Sequence, residues 1–163
     1  MTHSDTHTDQ TTPSLPAPAG VFRRLAAMVY DSFLLMAVSL AYGALATGLN
    51  VLLQGAPPEG EAIEWGLWRL PVFIGLLVVL VGFYCYFWGR SGQTLGMRAW
   101  RLKLVDARTQ APASTGQRIG RALLAPISLL ALGLGYFWVW IDPDHHSLHG
   151  RLTGTRVLLL PKE

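Results

Sequence analysis

Leu70–Gly89, LPVFIGLLVVLVGFYCYFWG, is the stretch that decides the fold class. It carries no charge, lies between Arg69 and Arg90, and places apolar side chains on every side of a helical period. About 20 such residues are what a helix needs to cross a hydrocarbon core, and a polar face is what it must lack. Two more stretches have the same character. Ser32–Pro58 is free of charge and extends back through Leu25–Tyr30, with Asp31 as the interruption. Ala122–Ile141 lies between Arg121 and Asp142. The apolar segments therefore run over about 25–53, 70–89 and 119–141. Of the 163 residues, 51% are hydrophobic and 14% charged, with a mean hydropathy of +0.33. Soluble domains carry about 25% charge, so an ordinary soluble enzyme is disfavoured, as is disorder over most of the chain. The expected fold is an all-α membrane protein: a small bundle of three apolar helical segments, the third bent or re-entrant, over residues 21–160. Residues 1–20 read as a disordered polar tail, without the basic and apolar regions of a signal peptide. In that tail His3, Asp5 and His7 are weak metal donors at best.

Aromatic residues flank the apolar runs as interfacial belts do. Trp65 and Trp68 precede the second; Tyr84, Tyr86, Phe87 and Trp88 close it, and Tyr136, Phe137, Trp138 and Trp140 close the third. Charge sets the orientation. Leu49–Trp68 has Glu59, Glu61 and Glu64 but neither Lys nor Arg. Arg90–Arg121 holds Arg90, Arg98, Arg101, Lys103, Arg108, Arg118 and Arg121 against Asp106 alone. The positive-inside rule then puts the N-terminus and this central segment in the cytoplasm. A full third crossing would leave Arg151, Arg156 and Lys162 outside, against the rule. Pro126, Gly133 and Gly135 weaken that helix, so a re-entrant path and a cytoplasmic C-terminus are favoured. Leu102 and Leu104 alternate with Arg101 and Lys103, and Arg156–Leu160 is β-prone. If these two runs pair, they form a short cytoplasmic β-ribbon, which would have to rest on the helices.

Asp31 is the residue that carries chemistry. It stands seven residues after Arg24, nearly two helical turns, so both lie on one face. A carboxylate inside a membrane costs about 2.5–3.5 kcal/mol on insertion scales, so it must be protonated, paired or wetted. Two readings stay open: a proton or cation site, and a structural clamp with Arg24 or Arg121. Arg121 and Arg118 open the third segment, where snorkelling to phosphates competes with pairing to an acid. Ser39, Gly43 and Thr47 recur every four residues as a helix-packing face. His145, His146 and His149 beside Asp142 and Asp144 could hold Zn²⁺ or Ni²⁺, but their spacing matches no strong metal signature, and Pro143 argues for a turn. No cofactor is expected. Cys85 sits in an apolar span as packing. No phosphate loop, catalytic triad or zinc-protease helix is present in the sequence, so an enzyme is not expected. Nucleic-acid binding is disfavoured too, because membrane topology accounts for the basic segment.

Arg23-Arg24-Leu25-Ala26-Ala27-Met28-Val29-Tyr30-Asp31 resembles the start of the RDD family of small bacterial membrane proteins. Arg24, with Arg23 as the near alternative, matches the family's arginine at the head of the first span, and Asp31 its first aspartate. Ser91-Gly92-Gln93-Thr94-Leu95-Gly96-Met97-Arg98 is similar to the family's glycine-rich stretch after the second span. Arg121 is placed like the arginine opening its last apolar segment, and Leu148–Val157 like its C-terminal signature. The likeness covers about Val21 to Leu160. It departs at Gly150, where the family usually carries an aspartate; Asp142 or Asp144 could compensate only if folded to the same place. The resemblance implies a multi-pass protein of the bacterial inner membrane. For function it implies transport of a cation, a proton or an unidentified small ligand through Asp31. The alternative is a non-transporting scaffold or assembly partner in which Asp31 and the arginines form a clamp. The lipid bilayer and a second copy of the chain are the expected partners.

Overall fold

The computed structural model describes residues 19–130, 138 and 147–161. Helix α1 spans Val21–Gln54 and α2 spans Arg69–Arg90, preceded by a 3-10 turn at Gly66–Trp68. Both are long and apolar enough to cross a membrane. Helix α1 stops at Gly55, whose φ of 88° is readily adopted only without a Cβ and whose N–H caps the Val51 carbonyl. Pro71 falls in the first turn of α2, where its missing N–H leaves no helical bond unmade. The two helices meet where the Tyr42 hydroxyl donates to the Val72 carbonyl at 2.8 Å. Gly75 makes room for that ring, since a Cβ there would lie 2.3 Å from the Tyr42 oxygen.

After α2 the chain turns at Gly92, φ 71°, into the short helix α3, Leu95–Ala99. Strand β1, Leu102–Asp106, follows, then α4, Thr115–Leu130, then α5, Leu148–Thr153, and strand β2, Thr155–Leu159. β1 and β2 pair antiparallel, Leu104 opposite Val157 and Asp106 opposite Thr155. The β-ribbon expected from alternation is therefore present. It does not stand alone: Leu102, Leu104 and Val157 join Ala19, Ala27, Trp88, Met97, Ala113 and Ala122 in one core. Two strands are marginal by themselves, and here helices from both sides of the sequence cover them. The edge of β2 is occupied as well, since the Ala19 N–H bonds the Val157 carbonyl at 3.1 Å. The start of α1, the central segment and the last strand thus share one compact hub.

Away from the hub the apolar faces of α1 and α2 are largely uncovered among the described residues. Phe33, Leu40, Leu45 and Leu52 of α1 and Phe73 and Val78 of α2 are exposed. In solution this would be a large penalty; against lipid it is the matching surface. Gly43 has nothing within 4 Å of where a Cβ would be, so the Ser39/Gly43/Thr47 face, expected to pack helices, has no neighbour at its centre among the described residues.

The expected bundle of three apolar segments is present for two. Of the third, α4 runs to Leu130 straight through Pro126, and residues 131–137 and 139–141 lie outside the described residues. So does nearly all of the polar tail expected over 1–20, with His3, Asp5 and His7.

Candidate functional site

Asp31 sits one turn beyond Ala27 on the buried stripe of α1, Val21, Arg24, Ala27 and Asp31. Its side chain is 4% exposed. Both carboxylate oxygens are engaged. Oδ2 accepts the Thr94 hydroxyl at 2.5 Å, and Oδ1 accepts the Gly96 N–H at 2.9 Å. Thr94 is the N-cap of α3, its Oγ1 also accepting from the Met97 N–H at 3.2 Å. Asp31 therefore completes the cap of a helix 63 residues away in sequence. A helix start is short of acceptors and attracts negative charge, so α3 supplies what a buried carboxylate needs. Gly96 permits the approach: a Cβ there would stand 2.2 Å from the Ala27 carbonyl and 2.9 Å from Asp31 Oδ1.

Arg24 and Arg121 are each 6% exposed. Arg121, about two turns into α4, donates to the Thr155 hydroxyl at 2.9 Å and lies 5.9 Å from the centre of the Trp88 ring. Arg23 is only half-buried, so of the two N-terminal arginines it is Arg24 that turns into the hub. His149 is 1% exposed in α5, with its Nε2 3.1 Å from the Ser147 hydroxyl. Burial, and then the positive charges of Arg121 and Arg24, push its imidazole down from 6.5 to about 2. It is a neutral hydrogen-bonding group. Gly150 beside it is closely packed, with a Cβ position 2.9 Å from the Thr155 carbonyl and 3.4 Å from an Arg121 nitrogen.

Arg24, Asp31, Arg121 and His149 line one cavity of about 500 Å³. Its other walls are mostly apolar, with Leu35 from α1, Leu77 and Val81 from α2, and Leu123 and Ala125 from α4, joined by Ser32 and Tyr84. The three residues singled out in the sequence, Arg24, Asp31 and Arg121, thus come together. Among the described residues the direct partners of Asp31 are Thr94 and Gly96 rather than an arginine. Thr94 was not expected as its partner, although a threonine before an apolar helical turn is a readable cap signal. Of the weak metal candidates, His145 and His146 lie outside the described residues, as do Asp142 and Asp144. His149 is buried against Ser147, and no three metal-donor side chains cluster among the described residues. Arg118 reaches the Cys85 carbonyl at 3.2 Å, passing over Gly89.

The family model described as the RDD family matches residues 18–154. An uncharacterized protein of Rickettsia prowazekii is 28% identical over 99 residues, covering 61% of this chain and 55% of that protein. The chain thus aligns with about half the length of that curated relative. No solved structure matches. Those 137 aligned positions contain Arg24, Asp31, the Thr94–Gly96 cap and Arg121, and the chain belongs to the RDD family.

Proposed function

We propose that this chain is a multi-pass membrane scaffold, an assembly module in which Asp31 is a structural latch and not a carrier of ions. The observation that supports this reading is the engagement of both Asp31 oxygens by Thr94 and Gly96. A site that cycles protons or cations needs a carboxylate free to exchange partners. This one holds α1 against the loop that follows α2, and so fixes the two long helices to the hub.

The hub lies on the cytoplasmic face in this reading. Its basic side chains, among them the exposed Arg90, Arg98 and Arg108, face anionic headgroups, each worth about 1 kcal/mol near such a surface. The acidic loop with Glu59, Glu61 and Glu64 lies outside. Helix α1 leaves the hub and α2 returns to it. Helices α4 and α5 meet in the hub, where β2 also pairs with β1, so this reading puts both on the cytoplasmic side.

The test is purification of native chain and Asp31→Asn under mild detergent. The scaffold reading expects a constant co-purifying partner with the native chain and a reduced yield of folded Asp31→Asn. A native chain that purifies alone would count against it.

A second reading, coupled transport, is favoured by the place of Asp31 on the wall of the cavity with Arg24, Arg121 and His149. It expects the opposite behaviour of Asp31→Asn: normal folded amounts with cation or ligand flux abolished.

A further inference from the structure

Helices α1 and α2 touch where Tyr42 reaches the Val72 carbonyl across Gly75. Nearer the hub the cavity of about 500 Å³ lies between them, with α4 as its third wall. The polar groups around it are engaged within the protein. Asp31 accepts from Thr94 and Gly96, and Arg121 donates to Thr155. His149 lies against Ser147, and the Ser32 hydroxyl donates to the Val29 carbonyl of its own helix at 2.7 Å. Arg24 and Tyr84 have interaction partners as well. What the cavity offers an occupant is therefore its hydrocarbon, from Leu35, Leu77, Leu80, Val81 and Leu123.

The mouth is placed to match. Leu77 and Leu123 line the cavity yet are 45% and 53% exposed. Leu77 stands near the middle of the uncharged run Leu70–Gly89, and Phe73, Ile74 and Val78 around it are exposed too. The opening is thus continuous with the surface that α2 turns to the hydrocarbon core. Water trapped there needs several polar partners, and an ion or polar solute would lie against apolar walls. Left empty, those walls would forfeit their van der Waals contacts. An alkyl chain fits the walls, needs no free charge at the inner end, and is the material present at the mouth.

We propose that an acyl chain of a membrane phospholipid enters this cavity between Leu77 and Leu123 and lies against Leu35, Val81 and Trp88. The bilayer then supplies packing that the described parts of α1, α2 and α4 leave open. The inference rests on the membrane placement proposed above and holds for scaffold and transporter alike. Release of the chain from membranes by alkaline carbonate would defeat the placement. A chain that is retained but fails the experiment below defeats this inference alone.

Trp88 reports the occupant, because it lines the cavity while only 6% exposed. The full chain carrying Trp65→Phe, Trp68→Phe, Trp100→Phe, Trp138→Phe and Trp140→Phe keeps Trp88 as its single tryptophan. It is reconstituted in phosphatidylcholine and in phosphatidylcholine with brominated acyl chains, whose bromine quenches indole fluorescence at close range. The expected result is loss of most of the Trp88 emission in the brominated lipid, and recovery of that emission when Ala125→Phe fills the cavity. Equal emission in the two lipids, the outcome if another part of the chain occupies the space, would overturn the proposal. So would quenching that a folded Ala125→Phe chain leaves unchanged, since bromine would then reach Trp88 from outside the cavity. Should the single-tryptophan chain fail to fold, native chain is photolysed in phosphatidylcholine bearing a diazirine on its acyl chain. Adducts are then expected on Trp88 or on Ala122, which also lines the cavity at 6% exposure; adducts confined to the outward Phe73, Val78 and Ile127 would overturn the proposal.

Discussion

The Thr94 hydroxyl donates to the Asp31 carboxylate at 2.5 Å while its oxygen accepts the Met97 N–H at 3.2 Å. A single side chain therefore caps α3 and fastens it to α1. Removing the acid leaves the Gly96 N–H and the Thr94 hydroxyl buried without their partner, at about 1–3 kcal/mol each. Asp31→Ala is expected to lower the thermal midpoint in detergent sharply. Asp31→Asn keeps one good acceptor and should lower it less. The double variant Asp31→Asn with Thr94→Val should be non-additive by roughly 0.5–3 kcal/mol; additive losses would mean that the two residues act independently.

Gly96 is the second element of the latch. Gly96→Ala places a methyl 2.2 Å from the Ala27 carbonyl, a backbone atom that cannot swing aside. Overpacking of this kind costs about 1–3 kcal/mol, and here it also separates Asp31 from its N–H donor. Gly43→Ala is the matched control, with nothing within 4 Å and a helix-propensity gain of up to ~1 kcal/mol. Unfolding midpoints should move down for the first and stay or rise for the second.

His149 gives a pH signature. Its folded value, about 2, lies below the ordinary 6.5, so the unfolded chain takes up a proton that the folded chain refuses. Stability from this group is present above about pH 6.5 and declines as pH falls below it, by up to ~1.4 kcal/mol per pH unit. Midpoints measured between pH 7.5 and 4.5 should fall more steeply for native chain than for His149→Gln. Parallel curves would show that His149 takes up its proton at the same pH in the folded chain as in the unfolded one.

The Ala19 N–H bonds the Val157 carbonyl at 3.1 Å, so the membrane placement proposed above puts both ends of the described chain on one side. After Cys85→Ala, single cysteines at Glu61, Arg108 and Pro161 would be probed with a membrane-impermeant maleimide in intact cells. Position 61 should label at once, and 108 and 161 only after permeabilisation. Labelling of 161 without 108 would break the shared hub.

Much of this was legible in the sequence because it depends on local pattern. Charge-free runs of helix-spanning length located α1 and α2, alternation located β1, and the seven-residue spacing put Arg24 and Asp31 on one face. The sequence also drew attention to Ser91–Arg98, but as a motif and not as the partner of Asp31. Charge reasoning pairs a buried acid with an arginine. The fold instead offers it a hydroxyl and a backbone N–H from a five-residue helix, and no periodicity reports a contact across 63 residues. His149 was read as a weak metal donor because its burial comes from the close approach of α5 to the hub, which composition does not encode. Gly89 and Gly75 carry no signal of their own until Arg118 and Tyr42 are seen lying over them.

The central claim, that Asp31 is a latch and not a carrier, is tested most directly by cation-driven proton movement in everted membrane vesicles. The host would lack its own major exchangers, and native chain would be compared with Asp31→Asn at equal abundance. The latch account predicts no response to Na⁺, Li⁺ or K⁺ from either protein, together with a lower thermal midpoint for Asp31→Asn. A cation response in native chain that disappears in a fully folded Asp31→Asn would contradict it and put Asp31 on a transport path.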